Sequence, residues 1–221
     1  MKKEKSEDAY LLAIDNGTQS VRALIFDLDG QLITKSKVHI EPYYSVNPGW
    51  AEQDADYLWN SLCKACQELW TQIDFPKSKI RAVALTTQRA TVVNLDREGK
   101  PLRPAIIWLD QRRTEPHELP SMPLHWDVLF KALGEHDTMR YFRSQAECNW
   151  IKTNQPEIWD KTYKTLLLSG YHTYKVTGRY VDSVASQVGY QPFDFKRFDW
   201  CKSYDWKWQA LPTQPRMLPD L

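Results

Sequence analysis

The sequence lacks any apolar run long enough to cross a bilayer, which takes about 20 residues. Its first residues, Met1 to Asp8, read MKKEKSED and contain no apolar stretch of the kind found in signal peptides. We predict that this charged start is a disordered leader. These absences argue against a membrane-spanning or secreted protein, so we expect a cytoplasmic protein without a membrane partner.

The chain is also poor in cysteine and has almost no net charge. Its four cysteines, Cys63, Cys66, Cys148 and Cys201, are too few and too scattered for a disulfide scaffold, which indicates a reducing compartment. The C-x-x-C pair on one predicted helix has no second pair and no histidine nearby, which favours packing over zinc binding. Basic and acidic residues number 29 and 28, so no overall field recruits nucleic acid. A small-molecule partner is the default, and the oligomeric state, a homodimer included, is left open.

Aromatic residues are plentiful by contrast. The chain has 10 tryptophans and 11 tyrosines, and 42% of its 221 residues are hydrophobic. This content can bury a sizeable core, and the length suits one large domain or two small ones. The aromatic side chains can fill that core or stack on sugar rings.

A strand, a turn and a second strand are predicted near the start of the chain. An apolar run, Leu11 to Ile14, ends at Asp15, and a tight turn is predicted at Asn16 and Gly17. An alternating apolar run, Ser20 to Phe26, follows. Asn-Gly between two apolar strands is a strong hairpin signal, so a bare hairpin is one interpretation of this stretch.

The residues on this turn also carry the chemistry of a phosphate-binding loop. Gly17 allows close approach of the backbone to a ligand, and the hydroxyls of Thr18 and Ser20 can donate to phosphate oxygens together with backbone N–H groups. Asp15 can hold a hydrated Mg²⁺. A carboxylate at the end of an apolar strand needs a partner or a role, which favours the phosphate loop over the bare hairpin.

The next elements continue the sheet and bring polar residues to its edge. A third strand, Gln31 to Val38, would complete an antiparallel meander, and a helix, Tyr57 to Ile73, would cross over to a parallel strand, Ile80 to Thr86. The carboxyl end of such a strand is a natural ligand position, and Gln88 and Arg89 lie there.

The second half of the chain alternates strands and helices. Short strands are predicted at Thr91 to Leu95 and Ala105 to Trp108. Helices are predicted at His125 to Leu133, Tyr141 to Ile151 and Gly170 to Val176, the last of them stopped by a glycine.

Several of these segments resemble, in order, the motifs of the FGGY carbohydrate kinases, which belong to the actin-like ATPase superfamily. IDNGTQSVRALIFD is similar to their first phosphate motif, D-x-G-T-x-S-x-R. TTQRAT resembles the T-N-Q-R-E-T of glycerol kinases, and PAIIWLDQRR resembles P-x-I-x-W-x-D-x-R. The resemblance runs from Tyr10 to Leu221. It implies an α/β, ribonuclease H-like lobe at residues 9–221, with a mixed sheet that opens with a three-stranded antiparallel meander and is flanked by helices.

The resemblance also implies functional residues for an ATP- and Mg²⁺-dependent kinase of a sugar or polyol. Asp15 would be the metal residue. The residues implied for the β- and γ-phosphates are Gly17, Thr18, Gln19, Ser20 and Arg22. Those implied for the substrate are Gln88, Arg89, Trp108 and Asp110, with Tyr141 near a substrate-contacting position of glycerol kinases.

Three features of the resemblance leave alternatives open. The glutamate that follows the arginine in glycerol kinases is Ala90 here, which argues against glycerol as the substrate. Trp108 and Asp110 also fit a structural interpretation, in which the tryptophan packs under the sheet and the aspartate pairs with Arg112 to tie a loop. The family's catalytic base and second, nucleotide-holding lobe are expected beyond Leu221, so no catalytic base is assigned within the chain.

Two functional expectations follow from these features. The 221 residues alone are expected to lack sugar-dependent ATP consumption, because phosphoryl transfer needs a group that positions the attacking hydroxyl. The alternative to a kinase is a non-catalytic carbohydrate-binding module or an actin-like interaction module, in which the phosphate turn is only a hairpin.

Overall fold

The computed structural model describes residues 9–221, so the predicted leader, Met1 to Asp8, lies outside the described residues. The strands are β1 (Tyr10–Asn16), β2 (Ser20–Asp27), β3 (Leu32–His39), β4 (Glu52–Gln53), β5 (Ile80–Thr87), β6 (Val92–Leu95), β7 (Ala105–Ile106), β8 (Lys164–Leu167), β9 (Phe193–Asp194) and β10 (Asp199–Trp200). The α-helices are α1 (Ala55–Trp70), α2 (Leu124–Ala132), α3 (His136–Gln145), α4 (Glu147–Asn154), α5 (Pro156–Lys161), α6 (Leu168–Thr177) and α7 (Lys207–Ala210).

The described chain divides into two compact units. The first comprises residues 9–43 and 54–88, and the second comprises residues 44–53 and 89–221. No helix within residues 9–221 has the length and apolar character that a bilayer crossing requires.

The sheet of the first unit has the strand order β3-β2-β1-β5. Its first three strands pair antiparallel and β5 joins β1 in parallel, so the predicted meander and crossover are confirmed. One face of this sheet packs against α1, because alternate residues of β2 such as Val21 and Ile25 are buried with Leu58 and Leu62 of the helix. The helix begins where the Asp54 carboxylate accepts the Tyr57 N–H at 2.7 Å.

The turn between β1 and β2 lies further along the chain than predicted. The Gly17 N–H donates to the Ser20 carbonyl at 3.0 Å, which places the two central turn residues at Thr18 and Gln19. Asn16 is fully buried and pairs with Val21, so it belongs to the strand. The predicted Asn16–Gly17 turn was therefore wrong by two residues.

The second unit contains a four-stranded sheet of order β4-β7-β6-β8, in which every pairing is antiparallel. A cluster of buried apolar residues packs among its helices and strands. The cluster contains Ile106, Ala146, Cys148, Trp150, Ile151, Trp159, Ala210, Leu211 and Met217.

The predicted helix from Tyr141 to Ile151 was wrong, because the chain breaks there into α3 and α4. Ala146 lies between the two helices with an extended backbone, φ −68° and ψ 117°. The Asn149 side chain donates to the Arg143 carbonyl at 2.9 Å, which satisfies a group left open by the break. As a result, Glu147 is in the first turn of a new helix.

Candidate functional site

An open cavity of about 280 Å³ lies at the turn between β1 and β2 in the first unit. It is lined by Gly17, Thr18, Gln19, Ser20, Arg22, Lys37 and His39. Five of these residues were predicted from the sequence to contact phosphates, and the structure brings all five together.

Lys37 and His39 were missed in the sequence analysis. They lie on β3, where Lys37 pairs with Arg22 and His39 pairs with Ser20 across the β2–β3 ladder. Directly paired residues point to the same face of a sheet, so the register of the predicted meander contained the signal for both. Lys37 and Arg22 give the cavity a cationic wall that suits an anionic ligand.

One backbone donor of this turn is already used. The Gly17 N–H donates within the turn to the Ser20 carbonyl. Among the side chains that line the cavity, Arg22 and Lys37 supply fixed positive charge. This donor set fits phosphate oxygens.

Asp15 lies beside this cavity and does not line it. Its Oδ2 atom is 2.9 Å from Arg22 Nη1, and the two side chains are 34% and 48% exposed. An ion pair this exposed contributes only about 0–1 kcal/mol. A hydrated Mg²⁺ can therefore compete for the carboxylate, and its oxygen donors are of the type this metal prefers.

Gln88 follows β5 and has a buried side chain without a partner. Its backbone N–H donates to the Asn16 carbonyl at 2.7 Å, which fixes its position. The residue is 8% exposed, and neither its Oε1 nor its Nε2 has a hydrogen-bond partner within residues 9–221. A buried amide left in this state is costly unless a ligand or water satisfies it. Arg89, the next residue, is exposed.

Asp110 belongs to a buried ion-pair network in the second unit. Its two oxygens accept from Arg112 Nε and Nη2 at 2.8 Å and 2.7 Å, and Oδ2 also accepts the Ala51 N–H at 2.6 Å. The Asp110 and Arg112 side chains are 4% and 2% exposed. This geometry supports the interpretation in which Asp110 ties a loop and orients its neighbours.

The Arg112 guanidinium is enclosed by charge and by aromatic rings. Its Nη1 atom is 2.9 Å from Glu52 Oε1, and Glu52 also pairs with Arg103. The guanidinium carbon is 4.0 Å from the ring centre of Trp50 and 4.6 Å from that of Trp150. These contacts make Arg112 the centre of the network.

Trp108 and Tyr141 are the aromatic residues among the predicted substrate residues, and both are exposed. Trp108 is 52% exposed in the loop after β7, so it is not packed under the sheet, and Tyr141 is 54% exposed on α3. The Arg113 guanidinium lies over the Tyr141 ring at 5.9 Å. Exposed rings of this kind can stack on a sugar.

Glu147 is a further candidate that was missed in the sequence analysis. It lines a small recess together with Ala90 and Tyr190. Burial raises the pKa of its carboxyl, a hydrogen bond from its own backbone N–H lowers it, and the charges of Asp110 and Arg112 raise and lower it respectively, so that the pKa is about 7. Glu147 lies at this recess as the first residue of α4, directly after the unpredicted break.

The raised pKa of Glu147 leads to a pH-dependent stability. The pKa is 4.5 in the unfolded chain and about 7 in the folded one, so between these values the folded state binds more protons. The stability that the protonated Glu147 carboxyl contributes is fully present below the pKa of the unfolded chain. It is lost as the pH rises through the pKa of the folded chain. Between about pH 5 and about pH 8, we expect the free energy of unfolding of the wild type to fall by about 2 kcal/mol more than that of Glu147→Gln, as measured by urea unfolding. Equal pH slopes in wild type and variant would contradict the assignment.

An antiparallel meander followed by a helix and a parallel strand, with a cationic cavity at the first turn, defines a domain of the ribonuclease H-like, actin-like ATPase class. Residues 10–221 match the N-terminal domain of the FGGY family of carbohydrate kinases. The chain belongs to this family.

Comparison with individual proteins agrees with this membership. A glycerol kinase from Thermococcus gammatolerans is 29% identical over 197 residues, which cover 87% of this chain and 39% of that relative. The structure of a xyloylose kinase from Brucella ovis has a TM-score of 0.75 at 24% identity, covering 96% of this chain and 42% of that one. The structure of Plasmodium falciparum glycerol kinase with ADP has a TM-score of 0.69 at 24% identity, covering 96% and 43%. The chain therefore spans about two fifths of the length of these proteins.

Proposed function

We propose that this chain is the sugar- and phosphate-binding lobe of an ATP-dependent kinase that phosphorylates a hydroxyl of a polyol or keto-sugar. The observation that supports this most is the cationic cavity at the turn of the D-x-G-T-x-S-x-R motif. A bare hairpin needs no such cavity, whereas the terminal phosphates of a nucleotide need both positive charge and hydroxyl donors.

The phosphate residues have separate proposed roles. Thr18 and Ser20 would donate to β- and γ-phosphate oxygens, and Gly17 and Gln19 would shape the turn around them. Arg22 would balance the charge that develops as the phosphoryl group is transferred. Asp15 would hold Mg²⁺ through water, and the metal would supply further charge neutralisation at the phosphates when bound.

The proposed substrate residues of the second unit are Arg89, Trp108, Asp110 and Tyr141. The exposed Arg89 has a rigid fork of donors that can bridge neighbouring hydroxyls. Trp108 and Tyr141 offer exposed rings for stacking, and Asp110 acts through the Arg112 network that holds its loop in place. Gln88, in the first unit, has a buried side-chain amide that would hydrogen-bond to the substrate.

The remaining parts of the enzyme are proposed to lie past Leu221. We assign no general base within residues 9–221, and we propose that the base and the lobe that holds the adenosine come from a later segment of the protein. No disulfide bond joins the cysteines within residues 9–221, which fits a kinase of the cytoplasm.

Ligand-induced stabilisation tests the proposed function. In a thermal-shift assay on the protein produced from its natural gene, MgATP should raise the melting temperature, as should at least one of glycerol, xylulose and fructose. A ligand at 100 times its dissociation constant stabilises the native state by about 2.7 kcal/mol, which is readily measured. The absence of any shift with MgATP and with all three sugars or polyols would contradict the proposal.

A further inference from the structure

A recess in the second unit brings together Ala90 and Glu147, which are far apart in the sequence. Thr165, Leu167, Tyr190 and Thr213 contribute to its lining. The recess has about 20 Å³ of free space, which is room for one water molecule or one hydroxyl group. Ala90 is the position at which this chain lacks the glutamate of the T-N-Q-R-E-T motif.

Two backbone features fix how these residues meet. Ala90 has a left-handed backbone, with φ 53°, and its side chain is only a methyl group, so it leaves the recess open. Glu147 is the first residue of α4, directly after the extended Ala146. A continuous helix through this segment would turn the Glu147 side chain in another direction.

Glu147 lines this recess, and its carboxyl accepts a hydrogen bond from its own backbone N–H. Asp110 and Arg112 are close enough to shift its pKa. A carboxylate has about four acceptor sites, so it can accept further hydrogen bonds. A hydroxyl group of the size that the recess accepts can supply one.

We propose that Glu147 is the acceptor for a substrate hydroxyl and takes in space the place of the glutamate that is absent at position 90. This inference rests on the proposed function, because it assumes a polyol or keto-sugar substrate. It makes Glu147 a binding residue that determines which hydroxyl pattern is accepted. The substrate carbon whose hydroxyl enters the recess is thus held by a carboxyl from α4 and not by one that follows Arg89.

Exchange of the two side chains tests this inference. Isothermal titration calorimetry with glycerol, xylulose and fructose on the protein from its natural gene should show binding of at least one probe by the wild type. For that probe, Glu147→Ala should weaken binding by about tenfold to a hundredfold, because the hydroxyl loses a charged or strongly polar acceptor. Combining Glu147→Ala with Ala90→Glu should restore most of the affinity, since it returns a carboxyl to the same recess.

A matched control and the opposite outcomes keep the test decisive. Glu157→Ala removes a carboxylate from the first turn of α5, where the side chain is exposed, and should leave the affinity unchanged. If the wild type binds a probe and Glu147→Ala binds it equally well, the inference is wrong and the proposed function stands. If the wild type binds none of the three probes, the inference is contradicted, and the proposed function is contradicted as well when MgATP also gives no thermal shift.

Discussion

Asp15→Ala is expected to lower the catalytic rate constant for phosphoryl transfer by about a hundredfold to a thousandfold while the affinity for the sugar or polyol stays within about twofold. Asp15 is adjacent to the cationic cavity through its ion pair with Arg22, in the first unit. The proposed substrate residues other than Gln88 belong to the second unit. Loss of the carboxylate would therefore remove the proposed Mg²⁺ residue and leave the proposed sugar contacts in place.

The measurement for Asp15 is steady-state kinetics of sugar-dependent ADP formation, with sugar affinity from calorimetry, on the protein from its natural gene. Asp29→Ala is the control, because Asp29 is an exposed carboxylate in the turn after β2 and lies outside the cavity. The ion pair with Arg22 is exposed, so its loss costs little stability and the variant should stay folded. An unchanged catalytic rate constant in Asp15→Ala would remove this residue from the mechanism.

The first unit could be predicted from the sequence because its signals are local and agree with each other. Apolar alternation gave β1, β2 and β3, the spacing of Leu58 and Leu62 gave α1, and a crossover helix made β5 parallel. The turn was wrong by two residues because the Asn-Gly signal competed with the burial of Asn16 in the strand. The preference of an Asn-Gly pair for a turn does not set the position of the turn when tertiary packing keeps the asparagine in the sheet.

The composition of the phosphate cavity depends on register as well as on motif. The motif predicted Gly17 to Arg22, but Lys37 and His39 enter only through the pairing of β3 with β2. A one-residue shift of that pairing would have sent both side chains to the face that packs on α1. The five predicted residues therefore line the cavity, but the prediction omitted Lys37 and His39.

The second unit was harder to predict because its decisive features are non-local. The break at Ala146 has no glycine or proline to mark it, and it is stabilised by contacts such as that of Asn149 with the Arg143 carbonyl. Without the break, Glu147 would be one more polar residue on a helix. The buried network around Asp110 likewise joins residues from positions 52, 103 and 112, which no single motif contains.

Gly170 lies where the packing of the second unit leaves little room for a larger side chain. A Cβ atom on Gly170 would lie 3.2 Å from Asp182 Oδ2. That carboxylate is buried and already accepts from Ser169 Oγ at 2.8 Å and from Gln187 Nε2 at 2.9 Å. An aspartate at position 170 would therefore crowd a second carboxylate against the first, which is unfavourable for both.

Arg112→Ala is expected to lower the free energy of unfolding of the second unit by about 3–5 kcal/mol. The substitution leaves the buried carboxylates of Asp110 and Glu52 short of their shared cation, and it removes the cation–π contacts with Trp50 and Trp150. Burial of an uncompensated charge is the dominant cost, since the native pair has already lost its water. Urea unfolding, monitored by tryptophan fluorescence, measures this change in the free energy of unfolding. The signal reports on the network itself, because two tryptophans contact the guanidinium.

Two further variants test whether the loss of stability comes from the ion-pair network or simply from the removal of an arginine. Arg113→Ala removes an exposed guanidinium one residue away and should change the free energy of unfolding by less than about 0.5 kcal/mol. Arg112→Lys keeps the charge but loses the planar fork that holds both oxygens of Asp110, so it should fall between Arg112→Ala and the wild type. If Arg112→Ala were as stable as Arg113→Ala, the ion pairs at Asp110 would contribute nothing to the fold. Asp110 would then be free to act on the substrate directly, because its carboxylate would no longer be needed to hold the loop.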